Sequence, residues 1–363
     1  MAESLSYRRE TIYAGIPSER TLCVVGDINN NGTSDIVIAG RGNGEELYYL
    51  TRVDDGSWQR ITMSTTCGRL EAGGYLADIN RNGWLDFIAG NDWLGNEISW
   101  WENPGKSGES WQQHLIFRMP APQSHDQFVA DVDGDGRLEV YFWNQEAETL
   151  FYAPVPDDPT ISPWSEVYPI ITGVREEGLT TADIDGDGSL ELIAGQAWYR
   201  PPQKPGGNWE RHVFAKGFIS PRVAAADLNQ DGKLEIILSE GDASGAKKEY
   251  YGRLARCWYE NDPTKLWNVE LLHDRLIDPH SIIIADLNGN GQLDVFIGEL
   301  GDPHGNDRRA PLQRIFVNSN GKLVECIIDQ GIGTHESKLI DLDGKPVIVG
   351  KPYRFVEDGV QRT

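Results

Sequence analysis

Short apolar runs alternate along the chain with Asp- and Gly-rich loops, in one order that recurs seven times. It reads VVGDINNNGTSDIVIAG at 24–40, YLADINRNGWLDFIAG at 75–90, FVADVDGDGRLEVYFW at 128–143 and TTADIDGDGSLELIAG at 180–195. It returns as AAADLNQDGKLEIILSEG at 224–241, IIADLNGNGQLDVFIGE at 283–299 and, shortened, KLIDLDGKPVIVG at 338–350. The first Asp of each loop stands at 27, 78, 131, 183, 227, 286 and 341, a spacing of roughly 50 residues that belongs to propellers and repeat arrays. In the fifth repeat Val223–Ala226 and Ile236–Leu238 read as two strands around the loop. Aromatic third strands follow, as in Ile98–Pro104 and Arg256–Asp262. Fourth strands follow these at Trp58–Met63, Trp111–Arg118, Trp209–Ala215, Trp267–His273 and Leu323–Asp329. Four antiparallel strands per repeat predict an all-β propeller of seven blades, a single domain over 1–363 with repeats starting near 21, 72, 125, 177, 221, 280 and 335. The seventh repeat stops near its third strand, and residues 5–13 are expected to supply its outer strand, closing the ring and removing exposed edges.

Composition agrees with strands and tight turns: twelve Trp, thirteen Tyr and forty Gly, with no long apolar stripe of helical period. No apolar run is long enough to span a bilayer, and MAESLSYRRE lacks the apolar segment of a signal peptide. The four cysteines, Cys23, Cys67, Cys257 and Cys326, have neither CxxC spacing nor disulfide density and are expected as free thiols. A net charge of −23 makes nucleic acid and anionic membranes poor partners. Seventeen of the 56 acids lie in the first six loops, so much of the charge is concentrated where a cation would neutralise it.

The fifth loop, Asp227-Leu-Asn-Gln-Asp-Gly-Lys-Leu-Glu235, puts oxygen donors at positions 1, 3, 5 and 9 and Gly at 6 for the turn. That donor set suits Ca²⁺. An EF-hand would need a bidentate Glu at position 12 and flanking helices; position 12 is Leu238 and the flanks are strand-like. These loops resemble the FG-GAP (VCBS-type) repeats of integrin α-chain propellers, of a fungal propeller lectin and of the aldos-2-ulose dehydratase propeller. The resemblance implies up to six structural calcium sites. Their ligands would be Asp27, Asn29, Asn31 and Asp35; Asp78, Asn80, Asn82 and Asp86; Asp131, Asp133, Asp135 and Glu139. The other three sets would be Asp183, Asp185, Asp187 and Glu191; Asp227, Asn229, Asp231 and Glu235; Asp286, Asn288, Asn290 and Asp294. The seventh loop, from Asp341, lacks the later ligands. Calcium of this kind points to an extracellular or periplasmic setting.

If the Asp-loops lie on one face of the ring, the opposite face gathers the residues just before the first strand of each repeat. Six positions before each first Asp stand Thr21, Ala72, His125, Glu177, Pro221, His280 and His335. Three of the seven histidines share this register, at the expected mouth of the central channel. Arg20, Glu71, Glu176 and Arg222 lie one step away, and Trp93, Trp198, Glu299, Lys351 and Tyr353 follow the second strands. Such a mouth suits a carbohydrate or another polar small molecule. One expectation is a lyase or dehydratase working by β-elimination. His125, His280 and His335 then either supply the base or, with Glu299, hold a divalent transition metal. Arg222, Arg20 or Lys351 would steady the developing enolate, and Tyr353 is an alternative acid. The competing expectations are a sugar-binding, lectin-like module and a protein-interaction propeller of integrin α type. A monomer is expected.

Overall fold

The computed structural model describes residues 7–14, 19–41, 46–106, 109–241, 251–301, 309–352, 356–357 and 360–361. Among them there is no helix, hence none long and apolar enough to cross a membrane. Six sheets of four antiparallel strands each follow chain order from inner to outer strand. Blade one comprises β1 (Leu22–Gly26), β2 (Asp35–Ala39), β3 (Leu47–Arg52) and β4 (Trp58–Ser64). Blade two comprises β5 (Tyr75–Ala77), β6 (Asp86–Gly90), β7 (Glu97–Glu102) and β8 (Gln112–Arg118). Blade three comprises β9 (Ser124–Ala130), β10 (Glu139–Asn144), β11 (Thr149–Pro154) and β12 (Tyr168–Thr172). Blade four comprises β13 (Leu179–Ala182), β14 (Glu191–Ala194), β15 (Ala197–Arg200) and β16 (Glu210–Val213). Blade five comprises β17 (Pro221–Ala226), β18 (Glu235–Glu240), β19 (Gly252–Trp258) and β20 (Asn268–Leu276). Blade six comprises β21 (Pro279–Ala285), β22 (Asp294–Glu299), β23 (Leu312–Ser319) and β24 (Lys322–Gln330).

The expected seven blades are therefore six. The seventh angular position holds only a two-stranded hairpin, β25 (Lys338–Leu342) and β26 (Lys345–Val349). The hairpin closes the circuit, because β25 touches the inner strand of blade six on one side and that of blade one on the other. The reason for its shape is local. Leu342 pairs with Lys345 across Asp343-Gly344, and both turn residues have positive φ, 56° and 76°. An Asp-Gly pair in that conformation is a tight hairpin turn matched to strand twist, too short to form an ion-binding loop. A further two-stranded pair, β27 (Val356–Glu357) and β28 (Val360–Gln361), follows it.

The expected outer strand at residues 5–13 does not form over the described residues 7–13. That segment does bridge the closure. Ile12 and Tyr13 pack on Ile340 and Val349 of the hairpin, and Arg9 Nη1 meets Asp329 of blade six at 2.7 Å. Its Tyr7 hydroxyl donates to the carbonyl of Leu287, the second residue of loop six, at 3.1 Å. At other junctions the next blade's third strand supplies that donor. Asn103 Nδ2 binds Ile28 O at 3.0 Å, Tyr259 Oη binds Ile184 O at 2.9 Å, and Asn318 Nδ2 binds Leu228 O at 2.6 Å. The N-terminal segment thus replaces one clasp of the missing outer strands without extending the sheet.

The core lies between blades, where alternate residues of neighbouring sheets interdigitate. Blades one and two share Leu22, Val37, Tyr49, Phe87 and Trp101, and blades four and five share Ile193, Trp198, Phe214, Leu238 and Trp267. Strands β2, β6, β10, β14, β18 and β22 are buried throughout. They read as apolar on both sides because blades cover both faces. Trp198, placed on the mouth face from the sequence, is part of this packing. The cysteines are free thiols, three buried and Cys326 half-buried.

Candidate functional site

The six Asp-loops share one hydrogen-bond plan. The position-1 Asp accepts the backbone N–H of the Gly at position 6, from Gly32 to Asp27 at 2.8 Å through Gly291 to Asp286 at 2.8 Å. That Gly has φ near +85°, a conformation other residues adopt only with strain. The buried position-9 acid accepts the N–H of position 2, for example Val132 to Glu139 at 3.1 Å and Ile184 to Glu191 at 2.8 Å. Ile28 to Asp35, Ile79 to Asp86, Leu228 to Glu235 and Leu287 to Asp294 repeat it.

Loops three and four bring acidic oxygens closest together. Asp131, Asp133, Asp135 and Glu139 form one set, and Asp183, Asp185 and Asp187 another, with ligand atoms mutually within 4.8 Å. Asp131 Oδ1 and Glu191 Oε1 are buried with no hydrogen-bond partner among the described residues. Burial, reinforced by neighbouring acids, pushes Glu139 and Glu191 up to about 7. These hard oxygen donors fit Ca²⁺; in the present arrangement Arg137 pairs with Asp135 at 2.8 Å, and Arg200 pairs with Asp185 and stands 3.9 Å from Glu191 Oε1. Loop five fits less well: Arg256 holds Glu235 Oε1 at 2.5 Å, and Asn229 Nδ2 turns onto Asp231 at 3.1 Å.

On the opposite face, side chains from blades three, four and five and from the hairpin converge. His125 lies on β9, Glu177 just before β13, Arg222 on β17, and His335 and Glu336 just before β25. All are buried, as are His280 and Lys351. Arg222 Nη1 pairs with Glu177 and stands 3.6 Å from Asp126 Oδ2, while its Nε is 3.7 Å from Glu336 Oε1. His125 lies between two acids, with Nδ1 3.2 Å from Asp126 Oδ2 and Nε2 3.7 Å from Glu177 Oε1. Gln145 donates to Glu177 at 2.6 Å and Gly178 N–H to Asp126 at 2.6 Å. His280 stacks on His335 with ring centroids 4.9 Å apart, its Nδ1–H donating to Asp278 O at 3.0 Å. Lys351 Nζ donates to the carbonyl of Arg20.

This placement drives two histidines of one register in opposite directions. Burial disfavours the imidazolium of His125, but Glu177 and Asp126 outweigh it and push His125 up to about 9. Burial raises Asp126, yet His125 and Arg222 hold its carboxyl well below the usual range. His335 falls well below 6.5 through burial, with Lys351, His280, Arg222 and Arg41 all adding positive field. Burial likewise pulls Lys351 down to about 8. At neutral pH one imidazole is cationic and the other neutral, the division of labour an acid–base pair requires.

Asp126 and Glu336 were not singled out by the sequence, although it carried a signal for them. Each follows a register histidine in left-handed backbone, at φ 43° and 58°, where blades two and four have Gly73 and Gly178. Holding a non-Gly residue there costs on the order of 1–3 kcal/mol and concentrates at functional sites. Glu299, by contrast, accepts Ile277 N–H at 3.0 Å and Leu312 N–H at 2.7 Å and pairs with Arg314 at 2.8 Å. Its carboxylate braces the loop before β21, as Glu240 braces Ile219 and Arg253 in blade five. The three histidines do not form one ligand set: among the described residues the only candidate groups of three or more are the two in the Asp-loops. His114 and His212 are packing residues, the first stacked on Trp100 with ring centroids 4.5 Å apart and the second tilted against Trp198 at 4.2 Å. Tyr353 lies outside the described residues, as do Asp242, Asp302 and His304.

No curated protein matches the sequence. Among solved structures, the V. cholerae biofilm matrix protein Bap1 is similar at 14% identity and TM-score 0.46, over 95% of this chain and 61% of that one. This chain thus spans less than two thirds of that protein's length. A GH43 β-1,3-galactosidase with galactodeoxynojirimycin gives 10% identity and TM-score 0.42, over 72% of this chain and 96% of that one. The Aleuria aurantia lectin with alpha-methyl-L-fucoside gives 10% identity and TM-score 0.42, over 86% and 97%. The FG-GAP-like repeat family matches at residues 27–89, 78–142 and 131–194. The chain folds as a β-propeller, and its residues 27–194 match FG-GAP-like repeats.

Proposed function

We propose that the mouth is a single acid–base site acting on a carbohydrate that bears an acidic C–H beside a carboxylate or carbonyl, with β-elimination as the reaction. The observation that carries this reading is the convergence of Asp126, Glu177 and Glu336 on the buried Arg222 guanidinium, with His125 held against Asp126 and the buried His335 next to Glu336 in the chain. The opposed shifts of His125 and His335 support it. The shared register is Thr21, Ala72, His125, Glu177, Pro221, His280 and His335, too uneven for a sugar site repeated from blade to blade.

In this reading neutral His335 takes the α-proton, and the C–H electron pair becomes the new C=C bond as the β C–O bond breaks. The leaving oxygen takes the proton of the His125 imidazolium. Arg222 faces the negative charge that develops on the enolate, while Asp126 and Glu177 hold His125 protonated and oriented. Exchange with solvent restores both imidazoles. The test is to incubate the protein with uronate-containing and neutral oligosaccharides. The expected result is near-ultraviolet absorbance from the conjugated double bond, with products whose masses sum to that of the substrate. Products that have gained one water would assign hydrolysis instead. Binding without turnover would make the propeller a sugar-binding module.

We propose further that loops three and four hold structural Ca²⁺, through Asp131, Asp133, Asp135 and Glu139 and through Asp183, Asp185, Asp187 and Glu191. The ion would neutralise the acids that draw each inner hairpin together. Saturation to a hundred times Kd stabilises by about 2.7 kcal/mol per site. Calcium is thus expected to raise Tm by several degrees, and Asp133→Asn with Asp185→Asn to remove most of the rise. A melting curve indifferent to EDTA would end the idea.

A further inference from the structure

Trp93 is the only one of the twelve tryptophans that is exposed, at 44%, and its neighbour Leu94 is 70% exposed. Isolated exposed apolar residues are ordinary on protein surfaces; the construction around this one is not. Trp93 follows β6 on the mouth face. The buried Asp92 shapes its turn, its Oδ1 accepting Leu94 N–H at 3.0 Å and its carbonyl accepting Gly95 N–H at 3.0 Å. Asn91 secures the stem, donating to Arg69 O at 3.3 Å and accepting Glu97 N–H at 3.0 Å. A side chain at position 95 would strike Asn91 at 2.7 Å, so the turn is tight.

Two guanidiniums lie against this ring. Arg41, from blade one, is 4.5 Å from its centroid and pairs with buried Glu71. Arg69, from blade two, is 5.2 Å away and pairs with Asp92 at 2.7 Å. Arg41 also joins the rim to the mouth, since its charge is among those that hold His335 neutral. A half-exposed indole between two anchored guanidiniums offers an apolar edge for sugar C–H groups and planar N–H donors for a carboxylate.

We propose that Trp93, Arg41 and Arg69 form a rim subsite for an acidic sugar unit, next to the unit bound at the mouth. The inference rests on the mouth reading and makes the preferred ligand an anionic oligosaccharide rather than a single sugar. The test uses His335→Ala protein, in which turnover is slowed by about 10²–10⁴, with and without Trp93→Ala, titrated calorimetrically with uronate oligomers of two to six units and with neutral oligomers of equal length. Wild-type turnover is followed in parallel, and Trp93→Phe reports whether a ring alone suffices.

The expected result is affinity that rises with length for acidic oligomers only, falling about tenfold in Trp93→Ala and partly recovering in Trp93→Phe. Unchanged affinity in Trp93→Ala would overturn the subsite while wild-type turnover keeps the mouth reading. Length-dependent binding lost in Trp93→Ala, but with no wild-type turnover, would uphold the subsite and overturn the acid–base reading. An equal loss for neutral oligomers, or no binding by any oligomer, would overturn the subsite as stated.

Discussion

Replacing His335 with Ala is expected to lower kcat by about 10²–10⁴, the usual contribution of a positioned base, with little change in Tm. The neutral state of this imidazole is imposed by burial and by the surrounding cations Lys351, Arg222 and Arg41 and by His280, so it is ready to accept a proton throughout the neutral range. His125 is the opposite case, cationic up to about 9 because two carboxylates flank it. The profile of kcat/KM against pH should therefore be a bell. Its acid limb lies below 6.5, where His335 protonates, and its alkaline limb at about 9, where His125 loses its proton. In His125→Gln the alkaline limb should vanish along with most of the rate. An alkaline limb that persists near 8 in that variant would assign it to Lys351 instead.

The same shift has a consequence for stability, and its sign can be worked out. The folded protein holds the His125 proton more tightly than the unfolded chain does. That contribution is complete below pH 6.5 and is lost as pH rises to about 9. Lys351 works the other way from about 8 upward, because its folded value is depressed. The loss from His125 is therefore clearest between pH 6.5 and 8, and His125→Gln should flatten it there.

Arg222→Ala should carry the largest cost to the fold, about 3–5 kcal/mol, measured by urea unfolding at pH 7. The buried guanidinium pairs with Glu177 and lies within 4 Å of Asp126 and Glu336. Removing it leaves three buried acids one cation short, with His125 still between Asp126 and Glu177 and Lys338 still 3.2 Å from Glu336, and the cost is that of unbalanced buried charge rather than of a lost contact. Arg222→Lys keeps the charge and should recover much of the stability. A double-mutant cycle with Glu177→Gln should show strong coupling, since Glu177→Gln removes the acid most in need of the cation. A loss below about 1 kcal/mol in Arg222→Ala, the range of exposed ion pairs, would show that the cluster is hydrated rather than buried.

Much of this molecule was legible without coordinates. The Asp-loops were, because each is nine contiguous residues whose turn Gly, first Asp and ninth acid are set by local geometry. Asp131, Asp133, Asp135 and Glu139 lie where the spacing places them. The register of His125, His280 and His335 was legible too, because strands beginning at equivalent points of a repeat begin at equivalent points of the ring. Glu299 was misread for an instructive reason. Proximity along the hairpin put it beside His280, whereas its oxygens are consumed by Ile277, Leu312 and Arg314. Sequence gives neighbourhood, but not which hydrogen bonds a carboxylate has already made.

By itself, then, the chain determined whatever depends on contiguous residues: the four-stranded repeat, the loop donors, and the single register on which the mouth is built. The tertiary structure decided what depends on residues far apart in the chain. It reduced seven expected blades to six and a hairpin, since the Asp343-Gly344 turn leaves no loop and residues 7–13 bridge the gap without pairing as a strand. It also brought Arg222 to Glu177, 45 residues away, set His125 between Glu177 and Asp126 and buried His335 among cations, which makes the first imidazole charged and the second neutral. Protonation at the mouth is set by through-space fields and burial, and neither exists until the blades close around the axis.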